Sequence, residues 1–279
     1  MTEPKRSYLY LLEMELPEGL LVDGNWLEQR GIASNLRAYY VKAGWLEQPV
    51  RGLYRRPRGT LGWQQVVISL QTLLGRTLFI GGRTALELQG FAHYLAQDVR
   101  AICLHGPDKP PAWLGKLNLP QHFIYRNSSR LFPDKSRTDN HAQPLRGRDH
   151  DGFEPLRGRE LTSMAWGQWD WPLTLSHPER AYLEVLNELP RYESFHQADM
   201  LMEGAVNFSP RRLQKLLVDC NSVKVKRLFF FFAGRHGHSW LKRLDKTAID
   251  FGRGKRVLVK GGRLDPDYLV TVPKNIDAH

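Results

Sequence analysis

Residues 22–56 read VDGNWLEQRGIASNLRAYYVKAGWLEQPVRGLYRR, and the order of residue types in this stretch decides the N-terminal fold. A short helix is predicted from about Asn25 to Arg30, with Trp26 and Leu27 inward and Gly31 as the turn. Ser34 is placed to cap a second helix ending at Ala43, where Gly44 suits the left-handed C′ position. Advancing about 100° per residue from Leu36, the positions Ile32, Tyr40 and Ala43 fall within roughly 40° of it. Ser34, Asn35, Arg37, Ala38 and Lys42 fall on the other side, Tyr39 at the border, and Val41 is apolar on the polar side. Trp45 to Gln48 and Leu53 to Arg56 have the composition of two strands around a Pro49–Gly52 turn.

That order is the pattern of a winged helix-turn-helix, which places one helix in the DNA major groove. Expected DNA-facing residues are Ser34, Asn35, Arg37, Ala38, Tyr39 and Lys42 on the second helix. Arg51 at the tip of the hairpin and Arg55 and Arg56 at its exit complete the set. Guanidinium groups in a wing suit phosphate contact or minor-groove insertion. The alternative is a small helical domain with a solvated hairpin that touches no nucleic acid; winged-helix folds also serve as protein-interaction modules.

Working outward, residues 6–16 are expected to form a first helix through Leu9, Leu12 and Leu16, and Pro57–Gly59 a linker. A chain of 279 residues is long for one domain, so two are expected: 1–58 and 59–279. In the second, helices are predicted over Trp63–Leu74 and Thr84–Gln89, and strands over Thr77–Ile80, Ala101–Leu104 and Phe123–Tyr125. Residues 133–160 are polar and rich in Gly, Pro and Arg, the composition of a long loop. Pro178 and Ser209-Pro210 open further helices, and the four phenylalanines 229–232 fit either a helix or a buried strand. Val257–Val259 and Tyr268–Val272 read as strands. Without a βαβ rhythm the expected class is α+β: a winged helix-turn-helix followed by a larger mixed α/β domain.

The net charge of +11 is unevenly spread. Residues 1–60 hold nine Lys/Arg and seven Asp/Glu, 61–207 fifteen and sixteen, and 208–279 sixteen and six. The basic excess therefore lies in the last quarter. Arg211, Arg212, Lys224, Lys226, Arg227, Arg253, Lys255 and Arg256 are expected to form a partly continuous basic surface for a polyanion or an acidic partner.

Enzyme motifs are weak. Gly81-Gly82-Arg83-Thr84 looks like the opening glycines of a nucleotidyltransferase, but that chemistry needs paired carboxylates for magnesium shortly downstream. Glu87 and Asp98 are not a pair, Asp149 and Asp151 fall in the polar loop, and Asp265-Pro266-Asp267 reads as a turn. Phosphate-loop, nucleophile-elbow and dinucleotide fingerprints are missing. His236 and His238 read as solvated, and Trp166, Trp169 and Trp171 as a packed loop. Cys103 and Cys220 give no disulfide framework. No metal or cofactor is expected, and with neither a signal peptide nor a spanning segment the expected location is the cytoplasm.

Across nearly its full length the sequence resembles the AbiEi antitoxins of type IV toxin–antitoxin systems. GWLEQPVRGLYRR carries the N-terminal likeness; FIGGRTALELQGF, HPERAYLEVLNELP, SVKVKRLFFFF, IDFGRGKRVLVKGGRLD and YLVTVP carry the C-terminal one. The resemblance implies a transcriptional autorepressor whose DNA partner is a set of operator repeats in its own promoter. It also implies a C-terminal antitoxin domain that neutralises a cognate nucleotidyltransferase-like toxin, and no catalytic residues. The competing reading is a stand-alone winged-helix regulator, or a protein- or RNA-interaction module without a toxin.

Overall fold

The structure is a computed structural model describing residues 6–91, 100–133 and 160–276. The polar stretch 133–160 therefore lies almost wholly outside the described residues, as do Asp98, Asp149 and Asp151.

The N-terminal part runs α1 (Arg6–Glu15), β1 (Leu21–Asp23), α2 (Gly24–Glu28), α3 (Ser34–Lys42) and β2 (Leu53–Arg55). Asp23 caps α2 by accepting from the Trp26 amide at 2.8 Å. Gly31 makes the turn at φ +81°, and Gly44 follows α3 at φ +77°. Ser34 does not cap α3; Ala33 holds that position and Ser34 is the first helical residue. The wing also differs from expectation. Its first strand shrinks to one bridge, Glu47 to Arg55, and β2 pairs instead with β1 in antiparallel register, Val22 opposite Tyr54.

The β1–β2 pair divides the molecule. Strand periodicity sends neighbours to opposite faces. Leu21 and Leu53 enter the main core with Trp63, Val66 and Leu70, whereas Val22 and Tyr54 enter a smaller core with Leu12, Leu16, Trp26, Leu27, Ile32, Tyr40 and Leu46. Packing is thus continuous across residue 58 through α4 (Trp63–Thr72), whose Ser69 Oγ accepts from the Leu21 amide.

The larger part is built on a five-stranded mixed sheet of order β5-β4-β3-β7-β6. Its strands are β3 (Phe79–Ile80), β4 (Ala101–Gly106), β5 (His122–Asn127), β6 (Leu161–Trp166) and β7 (Trp171–Ser176), with α5 (Gly82–Leu88) leaving β3. Then come α6 (Pro178–Glu188), α7 (Phe195–Glu203), α8 (Pro210–Asp219), α9 (Val223–His236) and the hairpin β8 (Arg263–Asp265)–β9 (Val270–Val272). Ser209 and Ser222 cap α8 and α9 by accepting from Arg212 and Val225 amides. The phenylalanine run is helical, and α9 is buried from Val225 to Ala233. Phe229 meets Tyr182 and Trp240, Phe230 meets Phe251 and Tyr268, and Phe232 meets Phe195.

Three further expectations are corrected. Val257–Val259 is not a strand: the Leu258 and Val259 amides donate to Thr271 Oγ1, and β9 pairs with β8. The three tryptophans lie on the β6–β7 hairpin, Trp166 opposite Trp171 and Trp169 exposed at its tip. His236 and His238 are bonded rather than solvated, to Asp199 at 2.9 Å and to the Met202 carbonyl at 2.7 Å.

Candidate nucleic-acid interface

Helix α3 is held by one face. Tyr40 is buried, Leu36 is packed against the same cluster, and Arg37 joins them. Arg37 lies one turn before Tyr40, and its side chain folds back under the helix pair. Its Nη1 donates to the Ile32 carbonyl at 2.9 Å and the Gly24 carbonyl at 3.1 Å, with Glu28 at 3.5 Å. The guanidinium sits 5.9 Å from the centre of the Tyr54 ring. Arg37 is only 9% exposed, so the expected base-facing arginine is a tie between α2, the turn and α3. A guanidinium has five donors and bonds several carbonyls at once, which explains its use at a buried turn.

Ser34, Asn35, Ala38, Tyr39 and Lys42 are all exposed and share the outer face of α3. Tyr39 is 55% exposed, and Trp45, just past the helix, 50%. Trp45, a strand position by residue type, lies instead in the turn after α3. Around the wing, Gln48 and Arg51 are exposed on either side of Pro49-Val50, and Arg58 is exposed past the end of β2. Arg55 and Arg56 are not free for phosphate. Arg55 donates to Glu47 at 2.7 Å and the Gly59 carbonyl at 3.0 Å, and Arg56 pairs with Glu18 at 3.0 Å. Both guanidiniums brace the base of the wing.

The C-terminal basic set splits in the same way. Arg211, Arg253, Lys255 and Arg256 are exposed, and Lys260 and Arg263 join them. Arg212 is bound to Glu160 and Glu179 at 3.0 Å each. Lys226 and Arg227 are buried, and Lys224 is half-buried. Arg227 donates to the carbonyls of Phe251, Gly254 and Leu269 and so holds the loop that carries the exposed cations. Four of the eight expected residues are thus wholly or partly drawn into the body, because α8 buries one face and α9 is buried from Val225 to Ala233, so a run such as KVKR must put some charges there.

The glycine pair after β3 is filled from within. Glu184 of α6 accepts from the Gly82 amide at 2.8 Å, from Ser176 Oγ at 2.9 Å and from Arg180 Nε at 2.8 Å. A Cβ on Gly81 would lie 2.4 Å from the His105 ring and 2.5 Å from Glu184, so only glycine fits there. Burial pushes the Glu184 carboxyl upward, but His105, Arg180 and the Gly82 amide outweigh it and hold it below the usual range. Burial also lowers the pKa of His105, despite Glu184 beside it. The chain's own carboxylate thus takes the place that a phosphate would take at such a turn. Asp265 serves a turn, accepting from the Tyr268 amide at 2.8 Å. No helix among the described residues is long and apolar enough to cross a membrane.

Two family models match in tandem. One, described as "Transcriptional regulator, AbiEi antitoxin N-terminal domain", covers residues 5–97; the other, "Transcriptional regulator, AbiEi antitoxin, Type IV TA system", covers 100–273. Among solved structures, the RV2827C protein from Mycobacterium tuberculosis aligns with TM-score 0.55 and 15% identity over 94% of this chain and 88% of that one. Identity at that level speaks for the fold alone. No curated protein matches the sequence.

Proposed function

Since the chain belongs to the AbiEi family of transcriptional regulators and type IV antitoxins, we propose that residues 1–58 form a winged helix-turn-helix that binds operator repeats in its own promoter. In this reading residues 59–279 form the antitoxin domain and neutralise a cognate nucleotidyltransferase-type toxin.

The observation that carries the DNA reading is the outer face of α3. Five exposed residues, Ser34, Asn35, Ala38, Tyr39 and Lys42, sit on a helix whose opposite face is fixed by Tyr40 and Arg37. Asn35 suits adenine, Ala38 permits close approach to a thymine methyl, and Lys42 and Arg51 suit phosphates. A rigid mount favours this use, because base readout needs donors placed to within an ångström.

The head supplies little charge of its own, so affinity has to be shared. The exposed cations Arg253, Lys255, Arg256, Lys260 and Arg263 offer a second polyanion surface on the body. Mobility shift with the promoter fragment tests the reading, and co-expression with the toxin, scored for growth, tests the antitoxin half. Exposed Tyr39 and Trp45 favour a second reading, docking of a protein on the same face. Salt separates the two, since phosphate contact gives a steep loss of affinity with salt and an aromatic protein interface does not.

A further inference from the structure

A cleft of about 320 Å³ lies where the turn after β5, the end of α6 and the start of α9 meet. Its lining holds three cations, Arg130, Lys224 and Arg256, and three neutral hydrogen-bonding side chains, Asn187, Asn221 and Ser222. Leu131 and Val223 also line it, and among the described residues no carboxylate does.

The cations are held from behind. Lys224 Nζ donates to the carbonyls of Asn187 at 2.6 Å and Leu189 at 2.9 Å, which leaves one N–H for a ligand. Arg256 is pinned through its backbone, its amide to Leu269 at 2.8 Å and its carbonyl to the Thr271 amide at 2.9 Å. Buried Arg227 fixes the same segment from below through Gly254 and Leu269. Among the described residues neither Arg130 nor Arg256 pairs with a carboxylate, and both side chains are exposed. The Glu188 carboxylate acts on Lys224 from nearby, and a bound anion of two or more charges gains attraction from the three cations of the lining. The first turn of the 14-residue α9 adds the positive end of its dipole to the same wall.

We infer that this cleft binds a phosphate-bearing ligand of nucleotide size. Two guanidiniums match phosphate oxygens in bidentate fashion, and the ammonium adds a third donor. Asn187, Asn221 and Ser222 offer the polar contacts that a sugar or base edge needs. The volume falls at the small end of the range for ligand pockets, about 300–1,000 Å³. The inference does not rest on operator binding by α3, since it uses none of the residues of the head. The phosphate has two possible sources, a free nucleotide or the phosphorylated end of a nucleic-acid strand.

The test is calorimetric titration of the full-length protein with four probes: ADP, adenosine, and a six-nucleotide single strand carrying either a 5′-phosphate or a 5′-hydroxyl. One-to-one saturable binding of ADP or of the phosphorylated strand, with adenosine and the hydroxyl strand at least tenfold weaker, is the expected result. ADP alone identifies a free nucleotide as the source; the phosphorylated strand over ADP identifies a strand end. The double variant Arg130→Gln/Arg256→Gln should lose at least tenfold in affinity while keeping the wild-type melting curve. Arg130→Gln and Arg256→Gln singly should each lose severalfold, and Arg51→Gln in the wing should lose nothing. Absence of saturable binding, equal binding of the phosphate-free probes, or wild-type affinity in the folded variants would overturn the inference.

Discussion

The backbone amide of Leu21 donates to Ser69 Oγ at 2.9 Å across 48 residues of sequence, and this buried bond ties the wing to the body. Ser69 also donates to the Gln65 carbonyl at 2.6 Å, so one hydroxyl serves both elements. Ser69→Ala leaves the Leu21 N–H unpaired and should cost about 1–3 kcal/mol, read as a lower denaturant midpoint. A midpoint equal to wild type would show that the joint is not held this way. The same joint argues against testing the head by deletion, because removing residues 1–58 strips Leu20, Leu21 and Leu53 from the main core.

Arg37 and Asn35 should part company. Arg37→Ala opens the Ile32 and Gly24 carbonyls and removes the tie to Glu28, so its first effect is on stability, about 1–3 kcal/mol by chemical denaturation. Asn35→Ala sits on the exposed face and should leave the midpoint within about 0.5 kcal/mol of wild type. An unchanged midpoint for Arg37→Ala would return that residue to the DNA-facing set.

The Tyr40 hydroxyl is buried with no hydrogen-bond partner among the described residues, while its ring lies in the N-terminal core. Tyr40→Phe removes the desolvation cost and keeps the ring, so stability should rise or hold, by up to about 1–3 kcal/mol. A clear fall in melting temperature would mean that the hydroxyl has a partner in solution.

Acid should loosen the body first at His105. Burial lowers its folded pKa below the ordinary 6.5, so as pH falls the unfolded chain takes up the proton first. That contribution is complete above about 6.5 and is lost as pH drops toward the folded value. Glu184, held below its ordinary 4.5, adds a loss only under more acid conditions. Melting temperature measured from about pH 7.5 to 5.5 should therefore fall less steeply in His105→Gln than in wild type. His177, also lowered by burial and then by Arg212, leaves a residual slope. Equal slopes would contradict the assignment.

Much of the fold was legible because it rests on strong local signals. Ser209-Pro210 and Pro178 opened helices as written, Gly44 took its left-handed turn, and Trp26 and Leu27 went inward. Strand β1 was hidden since both of its faces are buried, and Leu21-Val22 shows no alternation. The candidate site was legible in its small residues and not in its arginines. A helical wheel treats a guanidinium as solvent-seeking, yet Arg37, Arg55, Arg56, Arg212 and Arg227 are all spent on carbonyls and carboxylates. Glu28, Glu47 and Glu18 are the partners in the head, and the sequence does not show which pairs will meet.

Fluorescence anisotropy on a labelled promoter fragment tests the central claim most directly, with wild type compared against Asn35→Ala/Ala38→Glu/Lys42→Ala across a salt series. Wild type should bind the promoter over a scrambled duplex with affinity that falls steeply with salt, and the triple variant should lose that preference while melting as wild type does. Removal of a single base contact such as that of Asn35 should cost about 1–3 kcal/mol. Promoter affinity unchanged in the folded triple variant would contradict the placement of DNA on α3.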